Sequence, residues 1–368
     1  MDRALAGLVE QVRAARAAGT ALDIRGGNTK AFYGGPPRGG PLHVTALAGI
    51  SSYEPSELVV TARGGTPLAE LESALAEKGQ CLPFEPPRFG DPTDVGGRAG
   101  TVGGMVAAGL SGPARAAVGC VRDYVLGATL LTGRAECLRF GGTVIKNVAG
   151  YDVSRVLAGS MGILGVICEV SLKVLPVTPA TLSLRLEMDA ASAIRRVNEW
   201  GGQPLPLNAS AWWAGTLVIR LSGAAAAVRA AQAKIGGEVV EPAMASSFWA
   251  GLRDHRDEFF LGAMRAVEGG AGLWRLSLPP TTAPLALSGE QLVEWGGAQR
   301  WLCTSAPAAA LRNAAAAVGG HAVLFRATDK SAGAFAPLAP PLERIHRELK
   351  TAFDPDGVFN PGRLVPGL

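Results

Sequence analysis

The segments of this chain with chemical content are glycine-rich turns rather than clusters of acids, histidines or thiols. The first is Arg25-Gly26-Gly27-Asn28-Thr29-Lys30, at the end of a short strand-like stretch. Two adjacent glycines let successive N–H groups point at one spot, which makes an anion nest. Asn28 and Thr29 add side-chain donors, and Arg25 and Lys30 add positive charge. A plain turn has the same composition, so this segment does not decide by itself. No GxxxxGK[ST] loop and no GxGxxG fingerprint occurs, which disfavours a P-loop and a Rossmann dinucleotide site.

Two further segments change the balance. Residues 100–112 carry Gly100, Gly103, Gly104, Gly109 and Gly112 among small or medium residues such as Thr101 and Val102. That leaves room for a flat or extended ligand against the backbone. The third segment, Gly159 to Ile167, holds Gly162 and Gly165 and ends in a strand through Val166 and Ile167, whose main chain is suited to the edge of a purine. Three such segments without a metal or nucleophile motif favour a large phosphorylated cofactor.

Other chemistries are poorly served. The five cysteines (Cys81, Cys120, Cys137, Cys168, Cys303) are an odd number and widely spaced, with no CxxC and no Cys/His cluster. Buried thiols in a reducing compartment are expected, not a zinc or iron–sulfur site. The net charge is only +4 and the basic residues form no dense run, which argues against nucleic-acid binding. Charges run throughout the amphipathic helix at residues 1–19, unlike a signal peptide, and no apolar stretch is long enough to span a bilayer. A cytoplasmic chain is the expectation, with peripheral attachment through partners left open.

The elements that must carry these turns follow from the pattern. With 368 residues, of which 48% are apolar, two domains with substantial cores are expected. Of 49 glycines, 29 lie in residues 1–178, whereas all seven tryptophans lie between Trp200 and Trp301. The seam falls near Pro176–Pro179, giving a first domain at 1–178 and a second at 179–334, with a tail at 335–368 that returns to the first. Strands are predicted at 21–24, 57–62, 123–131, 135–140 and 166–175, with helices to about Ala18 and over 68–78. In the second part, strand 181–187, helix 190–200, hairpin 209–221, helix 223–234 and strand 237–241 are echoed. The echo is strand 273–278, a short helix, hairpin 291–304, helix 306–318 and strand 321–326. That order suggests two split βαβ units in one antiparallel sheet with helices on one face.

The succession RGGNTK, TVGGMVAAG, GYDVSRVLAGSMGILGVI and the terminal FDPDGVFNPGRL resembles the FAD-binding family of vanillyl-alcohol oxidase and D-lactate dehydrogenase type. Within it the chain looks most like the FAD-binding subunits of bacterial glycolate oxidases, over nearly its whole length. The resemblance implies an α+β fold: a two-lobed FAD-binding domain plus an antiparallel-sheet cap. It implies that Gly26, Gly27, Asn28 and Thr29 hold the FAD pyrophosphate, flanked by Arg25 and Lys30. Thr101, Val102, Gly103, Gly104 and Gly109 would lie along the pyrophosphate, ribityl chain and ring. Gly162, Gly165, Val166 and Ile167 would contact the adenosine half and riboflavin, with Asn360 on the returning tail. A sister flavin subunit and an iron–sulfur subunit are the implied partners.

The chain also departs from the family. Relatives that oxidise 2-hydroxy acids carry an HxGDGNxH-like segment, whereas His43, His255, His321 and His346 are scattered here. Met161 stands where the family's GSEGTLG has an acid. No catalytic residue is therefore assigned, and covalent attachment through histidine is not expected. His321 and Arg326 bracket a strand that could face a flavin, and an arginine there could pair a carboxylate. A solvated strand end is the alternative. His255 is expected on a solvated helix face, and the tryptophans in a sheet core or subunit interface. Lys146 and Arg155 could pair with phosphates or with Asp152 or Glu169, and Tyr151-Asp152 is expected to shape a turn. Two rivals to an oxidase subunit are a self-sufficient FAD-dependent dehydrogenase and a structural subunit without cofactor.

Overall fold

The computed structural model describes residues 3–90, 100–143 and 152–368. The chain opens with α1 (Arg3–Ala18), which buries Leu8, Val9, Val12 and Ala15. It continues through β1 (Leu22–Arg25), β2 (Gly40–His43), β3 (Ile50–Glu54), β4 (Val59–Arg63), α2 (Leu68–Ala76), β5 (Gln80–Cys81) and α3 (Val102–Ala108). Two short helices, α4 (Arg115–Val118) and α5 (Val121–Tyr124), precede β6 (Val125–Leu131), β7 (Cys137–Gly141), β8 (Val166–Lys173) and β9 (Leu175–Pro176). Then come β10 (Ala180–Glu187), α6 (Ala190–Gly201), β11 (Leu207–Trp213), β12 (Thr216–Gly223), α7 (Ala225–Ile235) and β13 (Glu238–Val240). Next are α8 (Pro242–Asp254), α9 (Glu258–Glu268), β14 (Gly272–Ser277), β15 (Glu290–Glu294), β16 (Gln299–Thr304), α10 (Ala308–Ala317), β17 (His321–Arg326) and α11 (Pro340–Phe353).

The chain folds into two compact units. The first contains residues through Leu110, Cys120–Pro176 and Pro337–Leu368, and the second contains Ser111–Gly119 and Val177–Ala336. The run 111–119, placed in the first domain from composition, packs with the second unit. The cause is local: Trp295 donates its indole N–H to Gly112 O (3.1 Å), and the Arg115 guanidinium lies 4.6 Å from the centre of that ring.

In the first unit β3, β4, β8, β6 and β7 form an antiparallel sheet in that order. Apart from it, β1 and β2 pair in parallel, Leu22 opposite Gly40. A core of α1, β2, β6 and β8 residues closes around Phe359 of the tail, which is fully buried. β8 is buried at six of its eight positions, whereas β10 is buried at only two of eight.

The second unit is one antiparallel sheet ordered β13-β10-β12-β11-β15-β16-β14-β17. The order reads as a palindrome when β10–β13 are exchanged for β14–β17, and the two halves join at β11 and β15, Trp212 opposite Val293. The repeat expected from the sequence is therefore present. One detail differs: residues 278–289 contain no helix, because the buried Arg300 guanidinium binds the carbonyls of Thr282 and Ala283 and holds that connection as coil. Helices α6, α7 and α10 pack on one face over Leu184, Ile219, Leu276 and Leu302. The opposite face is covered as well, by α8 and α9 between the two repeats. There Trp249 of α8 donates to Ser183 Oγ (2.9 Å), and Phe260 of α9 meets Trp301 edge-on at 5.2 Å.

Candidate functional site

The three glycine-rich segments converge in the first unit on one cleft. From the sequence-predicted set it is lined by Arg25, Gly26, Gly27, Asn28, Thr29, Lys30, Thr101, Gly103, Gly104, Gly162, Gly165, Val166, Ile167 and Asn360. Val102 and Gly109 do not line it. Val102 points into the core, and Gly109 ends α3 in the left-handed conformation (φ +65°) against the backbone of Gly159.

Each wall is built locally. Strand β1 brings Asp23 and Arg25 to the edge, then turns at Asn28, which adopts φ +57°. A Cβ on Gly26 would stand 2.3 Å from Thr101 Oγ1, so only glycine lets this turn lie on the start of α3. Thr101 caps that helix by accepting from Gly104 N–H at 3.2 Å. Helix α3 buries Val102, Gly103, Met105 and Val106 and leaves Gly104 and Ala107, one turn apart, half-exposed toward the cleft. The third wall is the turn 159–165, fastened to α3 by Gly159 N–H to Val106 O (3.0 Å) and Met161 N–H to Ala107 O (2.8 Å).

Asn360 closes the cleft from the C-terminal tail, with both ends of its amide engaged. Its Oδ1 accepts from Ile24 N–H (2.8 Å) and its Nδ2 donates to Met161 O (2.7 Å). Asn360 is thus a clasp between β1 and the 159–165 turn. Asp23, Ala107, Ala108, Met161 and Arg363 line the cleft too, and the motif-based prediction missed them. Asp23 is buried and ion-paired with Arg25 at 2.6 Å. Arg363, three residues after Asn360, donates to the carbonyls of Ala31, Tyr33 and Gly35, and burial lowers its pKa. The signal for Arg363 was available in the terminal FNPGRL. None existed for Asp23, because one acid on a short strand looks like a surface residue.

The donor set suits an extended diphosphate-linked cofactor. Arg25 and Lys30 bring charge, the 26–29 turn brings N–H and side-chain donors, and Gly104, Ala107, Gly162 and Gly165 leave a slot for a flat ring. Among the described lining residues there is no histidine, cysteine or tyrosine, the side chains that tether flavins covalently.

Comparison with known proteins agrees with this chemistry. A model of the FAD binding domain matches residues 5–141. The chain is 48% identical over 361 residues to glycolate oxidase subunit GlcE of Escherichia coli (strain K12), covering 98% of this chain and 97% of that one. The chain belongs to the glycolate oxidase subunit GlcE family. It therefore carries an FAD-binding domain of the vanillyl-alcohol oxidase type, as its motifs implied. Similarity to differently named proteins is partial: D-lactate dehydrogenase of Anaerostipes hadrus is 32% identical over 39% of this chain and 28% of its own length. Glycolate oxidase subunit GlcD of Bacillus subtilis (strain 168) is 32% identical over 39% of this chain and 29% of its own. A solved structure of alkyldihydroxyacetonephosphate synthase shares the fold, with a TM-score of 0.64 at 14% identity over 96% of this chain and 74% of that one.

The remaining candidates lie elsewhere. His321 and Arg326 stand at the two ends of β17 in the second unit and do not line the cleft. Burial lowers the Arg326 pKa to about 10. His255 is not on a solvated face: its ring stacks on Phe260 at 3.7 Å and meets Trp301 edge-on at 4.8 Å. It ends α8 with φ +56°, which swings the ring inward, a conformation helical periodicity does not predict. Desolvation, then Arg326 and Arg275, holds its pKa well below 6.5. Trp200, Trp249, Trp274 and Trp301 are buried in the second unit. Arg155 pairs with Asp152 at 3.0 Å, while Glu169 accepts from Ser51. Lys146 and Tyr151 lie outside the described residues. Among the described residues no helix is long and apolar enough to cross a membrane, and no group of His, Cys, Asp and Glu gathers as a metal site.

Proposed function

We propose that the chain is the FAD-holding subunit of an oxidase complex that converts glycolate, or a related 2-hydroxy acid, to the 2-oxo acid. The observation that carries this is the meeting of the RGGNT turn, α3 and the 159–165 turn on one cleft, in a chain similar end to end to a glycolate oxidase subunit. FAD, when bound, would supply redox chemistry, taking up electrons and passing them on. This chain's residues would do the holding. The 26–29 turn with Arg25 and Lys30 would bind the pyrophosphate, α3 would support the ribityl chain and ring, and Gly162 to Ile167 would meet the adenosine half through backbone groups. Attachment would be non-covalent.

The partners we propose are a sister FAD-containing subunit, which would act on substrate, and an iron–sulfur subunit that would carry electrons away. The scatter of His43, His255, His321 and His346, none of them in an HxGDGNxH-like segment, supports assigning substrate oxidation to the sister. Membrane association, if the complex has it, would run through those partners. The test is the visible spectrum of the purified chain before and after acid precipitation. Flavin bands released into the supernatant are expected; bands retained in the pellet would refute non-covalent binding. No bands after adding FAD would refute the cofactor assignment. Turnover of glycolate by the chain alone with an artificial acceptor would favour a self-sufficient dehydrogenase instead.

A further inference from the structure

The most completely coordinated buried charge in the first unit lies outside the cleft. Lys350, near the C-terminal end of α11, is 8% exposed. Its ammonium donates to Ile163 O (2.7 Å), Phe359 O (2.8 Å) and Asp354 Oδ2 (2.6 Å), which uses all three of its hydrogens. Asp354 is 1% exposed and is itself wrapped by the tail: Val358 N–H donates to Oδ1 (2.9 Å) and Phe359 N–H to Oδ2 (2.8 Å). The lysine thus joins two stretches far apart in sequence. Ile163 belongs to the turn that contributes Met161, Gly162 and Gly165 to the cleft, and Phe359 immediately precedes Asn360.

Two observations make this more than a core ion pair. The turn is conformationally costly, with left-handed backbone at Met161 (φ +55°), Gly162 (φ +73°) and Gly165 (φ +148°). A non-glycine residue keeps such a conformation only when its surroundings impose it. Gly162 also fits tightly against Asn360, whose Nδ2 would stand 2.6 Å from any Cβ on the glycine. A small shift of tail against turn would therefore displace the cleft wall, and with it the Ile24 N–H that Asn360 Oδ1 binds.

We propose that Lys350 is a positioning residue for the cofactor cleft, clamping the 159–165 turn to the Asn360 segment so that both walls stand in register for FAD. This rests on the cofactor assignment above. Lys350 touches no cofactor atom; it acts through Ile163 and Asn360. Burial opposes its charge and Asp354 supports it, so the ammonium persists where the bare side chain would be unfavourable.

The test compares the full-length chain with Lys350→Gln and with the doubly neutral Lys350→Met/Asp354→Asn. The double variant removes the clamp without leaving a lone buried carboxylate. Each apoprotein is titrated with FAD by flavin fluorescence quenching, the bound flavin's visible circular dichroism is recorded, and Tm is measured. We expect Kd for FAD to rise at least tenfold in both variants, with a changed visible dichroism. Leu311→Ala, in the core of the second unit, serves as the control for destabilisation alone: it lowers Tm and leaves both flavin readouts as in the parent. Variants that bind FAD with the parent's Kd and dichroism overturn the proposal, as does a Leu311→Ala chain that loses FAD equally. If one variant does not fold, the other decides. A parent chain that takes up no FAD refutes the cofactor assignment itself, a different outcome from variants matching a parent that binds.

Discussion

Gly103 and Gly104 are adjacent, both in α3 and both in the cleft lining, yet valine should act differently at the two. A Cβ on Gly103 would stand 2.8 Å from Gly64 O and 3.1 Å from Gly64 Cα, both backbone atoms, beside an existing Gly103 N–H to Gly64 O bond of 2.8 Å. Backbone so placed cannot yield without moving β4 and α3 apart, an overpacking cost of about 3 kcal/mol. A Cβ on Gly104 meets only Thr101 Oγ1, at 3.1 Å, and the valine methyls would project into the cleft. For the fold this is nearly neutral, because a mid-helix glycine is itself the poorer helix former by a few tenths of a kcal/mol. For a ligand against α3 the methyls occupy its space at a cost of about 1.4 to 3 kcal/mol, or roughly 10- to 150-fold in Kd. The assays are thermal unfolding of the apoprotein and FAD titration by fluorescence. Gly104→Val should keep the parent Tm within a few degrees and lose FAD affinity, whereas Gly103→Val should lose stability first. A Gly104→Val chain with the parent's FAD affinity would refute placement of the cofactor on this helix face. Equal losses of Tm in the two variants would refute the packing analysis.

Four further outcomes are expected. Because the His255 pKa lies well below 6.5 in the folded state, the unfolded chain binds a proton below that pH and the folded chain does not. Stability should fall as pH drops below about 6.5, by at most about 1.4 kcal/mol per pH unit, and His255→Asn should remove that slope in urea melts between pH 7.5 and 5. Asp257 acts in the opposite sense: burial pushes its pKa up to about 6, so the folded state gains as pH falls from about 6 toward 4, and Asp257→Asn should steepen the acid loss. Trp301 and Gln299 both donate to the buried Glu294 Oε2, at 2.6 and 3.0 Å, so Trp301→Phe should cost about 1.5 to 3 kcal/mol beyond lost packing. A double-mutant cycle with Glu294→Gln checks it, and a coupling near zero would count against the bond. Arg363→Met withdraws donors from the carbonyls of Ala31, Tyr33 and Gly35 and should destabilise by about 3 kcal/mol in chemical denaturation.

The repeat in the second unit was legible because each half writes the same succession of periods, and antiparallel hairpins tie register to sequence neighbours. The coil at 278–289 was not, since it depends on Arg300 reaching carbonyls on another segment. His255 illustrates the same limit in one residue. Surrounded in sequence by Arg253, Asp254, Arg256 and Asp257, it looks solvated, and only the left-handed end of α8 turns it onto Phe260.

For the site, the glycines carried the signal. A backbone that must approach a ligand, or another backbone, excludes side chains, and that exclusion is written residue by residue at Gly26, Gly104 and Gly162. The sequence by itself therefore determined the class of ligand and the three segments that line the cleft. Tertiary structure alone decided how those segments are held. The clamp of Lys350 on Ile163 and Phe359, the clasp of Asn360 on Ile24 and Met161, and the burial of Asp23 each join residues distant in the chain. Their energy comes from desolvated charges and amides that find partners only when the tail folds back, and no local pattern records such a partner.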